Sequence, residues 1–343
     1  MGNAGGTGRN RTVAVYGAAG HTGRFVVAEL ARRGLTPIAI GRDRAKLAAL
    51  GQGIECRVAS LDDAASLDRA LAGAAAVINC AGPFLESADA LARAALRARI
   101  HYLDVTAEQP SAQATLENFN AAAREANVAV IPAMGFYGGF ADLLVTAALG
   151  DWDRADAIDI AIGLDSWHPT QGTRTTGERN TARRVVVSGG KLSPVQLPAA
   201  NREWQFPAPL GAQTVVEVPL SEIILIARHV KTDALHTWLS ELGLADIRDP
   251  KTPPPKPVDS TGRSAQRFAV EAVLRRGREH RRIIAQGRDI YAFTAPLVCE
   301  AAERLLAGKF ARPGASAPGE IFAARDFLAA LTPEHLAFEI RTE

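Results

Sequence analysis

Three glycines at fixed spacing, Gly17-Ala-Ala-Gly20-His-Thr-Gly23, follow a short apolar run (12–16, TVAVY) and open a helical pattern. Gly17 suits a tight strand-to-helix turn, Gly20 lets backbone come close to a ligand, and Gly23 lets the helix pack against the sheet. Backbone N–H groups of Ala19, His21, Thr22 and Gly23 would then gather at a helix N-terminus, where phosphate is favoured. The spacing is GxxGxxG rather than GxGxxG, and an ordinary structural turn is the competing reading.

Alternation then continues. Strands are predicted at 36–40, 54–58, 75–80, 101–105 and 128–132, and helices at 43–50, 62–72, 87–98, 111–126 and 139–149. Strands separated by helices imply βαβ units, so the fold class is α/β, with a Rossmann-type doubly wound parallel sheet over 12–150. The texture changes after Gly150. Segments 157–164, 184–188, 213–219 and 222–230 read as strands, and 266–274 with 279–286 as a hairpin, giving a mostly antiparallel α+β second domain over 151–289. Residues 250–258 (PKTPPPKPV) form a stiff, solvent-facing excursion, and 165–179 a polar loop.

The second predicted strand ends in Gly41-Arg42-Asp43. An acidic residue there would hold a ribose 2′-hydroxyl, whereas Arg42 can meet a 2′-phosphate, supported by Lys46. Asp43 would cap the next helix, and NADP(H) is the expected cofactor. Ser60 and Leu61 would border adenine, and the small residues Cys80, Ala81, Gly82 and Pro83 would pass under the second ribose. Cys80 reads as a buried filler.

The 343 residues carry a net charge of +2, which gives no field suited to nucleic acid or an anionic membrane. No stretch approaches the ~20 apolar residues of a membrane span. Residues 1–11 lack an apolar core and read as a flexible lead rather than a signal or anchor. Three scattered cysteines argue against disulfides and fit a cytoplasmic protein, and no metal-ligand spacing occurs.

The stretches GAAGHTG, GRDRAKL, NCAGPF, HYLDVTAE (101–108), PAMGFYGGFADLL (132–144) and PGASAPGEIFAARDFLAAL (313–331) resemble the saccharopine dehydrogenase-like reductases, a superfamily that includes saccharopine reductase and trans-acting enoyl reductases. The resemblance implies NADP(H) binding, a β-rich substrate domain, and a C-terminal segment (about 290–343) returning to the first domain. It also implies hydride transfer to C=N, C=O or C=C. Ala107 and Tyr137-Gly138 depart from the family pattern, so the substrate does not carry over.

Among candidate catalytic groups, the Tyr137 phenol can donate a proton from beside flexible glycines, and His168 is a second candidate donor. Thr106 and Glu108, at the carboxyl end of a strand, can hold ribose, and Tyr102, Tyr137, Arg174 and Arg179 can face a substrate. Structural roles compete at each: aromatic packing for Tyr137, loop bracing near Asp104, and a solvated loop around His168. The expected activity is NADPH-dependent reduction of a C=O or C=N bond in a small polar metabolite. An enoyl reductase and a non-catalytic NADP-binding sensor are the alternatives, and a homodimer is left open.

Overall fold

The structure is a computed structural model that describes residues 10–342, so most of the expected lead at 1–11 lies outside the described residues. Asn10 and Arg11 hydrogen-bond to the carbonyls of Gly73, Gly34 and Arg33.

The first half alternates as the glycine pattern requires: β1 (Thr12–Tyr16), α1 (His21–Arg32), β2 (Thr36–Gly41), α2 (Arg44–Ala48), β3 (Glu55–Val58), α3 (Ala64–Leu71), β4 (Ala76–Asn79), α4 (Phe84–Ala98), β5 (His101–Asp104), α5 (Gln109–Ala126) and β6 (Ala129–Ile131). All six strands are parallel, in the order 3-2-1-4-5-6. Period-2 alternation splits β1 between the faces. Val13 and Val15 join α1, while Ala14 and Tyr16 join α3 and α4. The crossover from β3 to β4 switches faces beside β1, which opens a crevice at the carboxyl ends of β1 and β4.

An irregular turn at 136–140 leads into α6 (Ala141–Leu149). Gly138 is needed there. Its φ of 132° is open to glycine, and a Cβ would fall 2.5 Å from Ser221 Oγ.

The second sheet holds β7 (Arg154–Leu164), β8 (Val185–Ser188), β9 (Lys191–Pro194), β10 (Asn201–Gln205), β11 (Ala212–Glu217), β12 (Lys231–Ser240), β13 (Arg267–Arg276) and β14 (Glu279–Arg288). It is antiparallel except where β12 runs parallel to β7. The basic run at the β13–β14 hairpin is neutralised locally. Arg275, Arg276, Arg281 and Arg282 pair with Asp159, Glu279, Asp151 and Glu271.

Three differences from the sequence reading have physical causes. Segment 165–179 contains a helix, α7 (Gln171–Arg179), started by Thr170, whose Oγ1 accepts from Thr173 N–H. Its two glycines and lack of an apolar stripe hide it. Residues 222–230 form α8 (Ser221–Ala227) rather than a strand. Ile223 through Ile226 are all buried, and an apolar run without period cannot distinguish strand from buried helix. The strand instead follows, as β12, then α9 (Glu241–Arg248).

From α10 (Ile290–Leu306), which packs on α1, the chain returns to the first sheet. β15 (Gly314–Ala315) adds a parallel strand beside β6. After α11 (Pro318–Ile321) and α12 (Ala324–Ala329), β16 (Ala337–Thr342) closes the edge of the second sheet against β14. One hydrophobic cluster runs from Val15 and Leu30 through Ile160 and Leu274 to Leu297, so both sheets share a core. Among the described residues no helix is long and apolar enough to cross a membrane.

Candidate functional site

The glycine loop is a cradle that side chains would fill. Gly17 has φ 79°, and a Cβ there would lie 3.0 Å from Ala81 Cβ of the loop after β4. A Cβ on Gly23 would lie 2.2 Å from Gly17 O. Helix α1 starts at Gly20 with no side-chain cap and no acidic residue in its first turn. Its leading N–H groups, around Ala19, His21, Thr22 and Gly23, are left for an anion.

At the end of β2, Asp43 is occupied as the cap of α2, accepting from Ala45 and Lys46 N–H at 2.9 and 3.1 Å. Arg42 is exposed and forms no hydrogen bond or ion pair among the described residues, and Lys46 stands 3.9 Å from Asp43. The free cation beside Gly41 therefore fits a 2′-phosphate better than the engaged carboxylate fits a ribose hydroxyl. Ser60 and Leu61 are half-buried on the next loop.

Under the crevice lies a buried polar lattice. Asn79 accepts Ala81 N–H (3.0 Å) and donates to Ser87 Oγ (3.0 Å), and Ser87 Oγ donates to Ala81 O (2.6 Å). This fixes the backbone of 80–83. Burial, helped by the charge of Asp104, pushes the Cys80 thiol up to about 12, so it is no nucleophile. Tyr102 is fully buried and donates to Asp104 Oδ2 (2.9 Å), so it braces the strand end rather than facing a ligand. Asp104 accepts from Thr106 and Ala133 N–H, and burial raises its carboxyl to about 6. Thr106 Oγ1 accepts Glu108 N–H, and Glu108 caps α4 by accepting from Phe84 N–H at 2.7 Å. Glu108 and Thr106 thus act through the loops they hold.

Above the crevice lies α7. Thr176 Oγ1 sits 2.9 Å from where a Gly82 Cβ would be, and Arg179 pairs with Glu86 of α4 at 2.7 Å. Arg174 donates to the carbonyls of Asp249 and Thr252, tethering the proline-rich excursion. Both arginines are engaged within the protein.

An aromatic wall closes the side. Tyr137 stacks on Trp167 with ring centres 5.1 Å apart, and Trp167 Nε1 donates to Tyr291 Oη at 2.9 Å. Tyr291 Oη also accepts Thr170 N–H and shares a hydrogen bond with Thr173, then meets His21 edge-on at 5.3 Å. The wall therefore runs from the 136–140 turn to the glycine loop. Tyr137 Oη and His21 Nε2 are buried on it with no hydrogen-bond partner among the described residues. Burial holds the Tyr137 phenol well above its ordinary value, so it stays protonated. His168, with Nδ1 3.2 Å from Pro253 O, lines a cavity of about 180 Å³ together with Lys256, Gln266 and Tyr291. Sequence reasoning missed Tyr291, which joins Trp167 across 124 positions and leaves no local signal.

Residues 13–131 match the family model of the saccharopine dehydrogenase NADP-binding domain. A saccharopine dehydrogenase (L-Glu forming) from Saccharomyces cerevisiae has the same fold, with TM-score 0.69 at 12% identity over 97% of this chain and 100% of that one. A short-chain oxidoreductase from Burkholderia thailandensis aligns at 21% identity over 36% of this chain and 68% of its own, with TM-score 0.30. No curated protein matches significantly. The matched model is that of an NADP-binding domain, and it spans the glycine loop, Arg42 and the α1 N-terminus. Residues 13–131 therefore resemble the saccharopine dehydrogenase NADP-binding domain, and nearly the whole chain takes the fold of that saccharopine dehydrogenase.

Proposed function

We propose that the protein uses NADPH to reduce a C=O or C=N bond of a small polar metabolite, bound between the first sheet's crevice and residues 151–289. The observation that carries this reading is the buried, unpartnered Tyr137 hydroxyl on the wall beside the crevice. When bound, the cofactor supplies a hydride to the acceptor carbon. The glycine loop would hold pyrophosphate, Arg42 and Lys46 the 2′-phosphate, and Ser60 and Leu61 would border adenine. The backbone of 80–83 and 106 would support the nicotinamide ribose.

Reduction of C=O or C=N leaves a negative heteroatom that needs a proton, and Tyr137 Oη is the donor with nothing else to bond. Trp167 and Phe136 fix its ring, and exclusion of water keeps the proton for the substrate. His168, turned to Pro253, is not assigned this step.

The experiment follows NADPH oxidation against carbonyl, imine and enoyl-thioester acceptors. Turnover of a carbonyl or imine, lost by roughly 10²–10⁴-fold in Tyr137→Phe with NADPH affinity unchanged, supports the reading. Turnover of enoyl thioesters alone would overturn it.

A further inference from the structure

Tyr16 is the last residue of β1, in register with Ile40 of β2 and Asn79 of β4, directly before the first glycine. Its residue is only 3% exposed, yet its hydroxyl has no hydrogen-bond partner among the described residues. The charged side chains that act on this phenol are Arg42, after β2, and Asp62, after β3. Both are exposed and neither makes a hydrogen bond or ion pair among the described residues, so both can give way to a ligand. Phenylalanine would fill the same place without stranding a polar atom, so packing does not account for the oxygen.

Resting on the NADP reading of Arg42, we infer that the Tyr16 hydroxyl is a specificity-determining donor to the 2′-phosphate of NADP(H), working from beneath the strand ends while Arg42 closes from the exposed side. The division follows from chemistry. A phosphate oxygen accepts from both a phenol and a guanidinium, whereas Asp62, which only accepts, suits the amino group of adenine. Burial holds the phenol above its usual value, so it is a donor throughout the neutral range.

The test is a fluorescence titration of wild type, Tyr16→Phe, Arg42→Asp and the double variant with NADPH and NADH, with adenosine 2′-monophosphate as a competitor. Thermal unfolding of each apoprotein is measured alongside. Tyr16→Phe is expected to weaken NADPH and adenosine 2′-monophosphate about tenfold while NADH changes little, as for a lost hydrogen bond to a charged group. Apoprotein Tm should stay level or rise, since the removed hydroxyl bonds to nothing. Equal weakening of both dinucleotides, no change in either, or loss of NADPH binding in step with a lower Tm would each overturn the inference. If Arg42→Asp fails to discriminate between the cofactors, the underlying NADP reading of Arg42 falls instead, whatever Tyr16→Phe does.

Discussion

Gly20 and Gly23 stand three residues apart in one loop, yet their replacement by alanine should fail in different ways. At Gly23 the new Cβ would lie 2.2 Å from Gly17 O and 2.9 Å from Ala18 Cα, where ordinary contact begins at 3.4 Å. The colliding atoms are backbone, pinned by Gly17 N–H on Ile40 O and Gly20 N–H on Gly17 O, both at 2.9 Å. The loop would have to retreat by roughly an ångström, an overpacking cost near the upper end of about 1–3 kcal/mol. Helix propensity returns up to about 1 kcal/mol. A net loss of about 2 kcal/mol lowers Tm by roughly 3 °C in a cooperative unit of this size. At Gly20 the nearest atom is Gly17 O at 3.1 Å and φ is −71°, so alanine fits once that oxygen gives by a few tenths of an ångström. Its methyl occupies the ligand's approach instead. Losing one charge-assisted contact costs about 1.5–3 kcal/mol, or roughly 10–150-fold in NADPH affinity. Calorimetry and NADPH titration of both variants separate the effects: Gly20→Ala keeps its Tm and loses ligand, while Gly23→Ala loses both. A Gly20→Ala protein that binds NADPH like wild type would refute the assignment of this loop to pyrophosphate.

Other expectations follow from the same geometry. Arg42→Asp should weaken NADPH by about 30–150-fold, about 2–3 kcal/mol, and NADH far less; parallel titrations showing equal loss would remove Arg42 from phosphate recognition. Tyr291→Phe strands the Trp167 Nε1–H and loosens the start of α7, at about 1–3 kcal/mol; limited proteolysis within 171–179 should accelerate, and an unchanged cleavage rate would count against the anchor. Burial lowers the His229 imidazolium's pKa, but Asp142, 2.7 Å away, more than offsets this and raises it above its ordinary value. Its stabilisation is therefore present below the unfolded value near 6.5 and lost as pH rises through the higher folded value. Denaturant midpoints across that window should fall for wild type and stay flatter for His229→Gln; parallel curves would dissociate the pair from stability.

The nucleotide half was legible because its rules are local. Turn, approach and packing glycines sit at fixed offsets, and Asp43 two residues before Ala45 announces a cap. What escaped was built by distance or by burial on every side. Glu108 reads as a ribose ligand until α4 is placed, when its carboxylate is found capping Phe84, 24 positions away. Helix α7 has no apolar stripe and two glycines, and is held by bonds to Tyr291, Glu86 and the 249–252 carbonyls that only the fold brings near. The apolar run of α8 lacks period because neighbours enclose all of it. Tyr16 carries a different lesson, since its sequence position was plain but only its unpartnered oxygen made it a candidate.

The last fifty residues stitch the sheets together. One short strand extends the parallel sheet, a helix lies on α1, and the final strand edges the other sheet. A gene cut near Gly150 would leave β6 as an open edge and the α10-facing side of α1 in water. The nucleotide half should then be an aggregation-prone fragment rather than a transplantable module. Separating the two sheets would first require peeling away their common terminal segment.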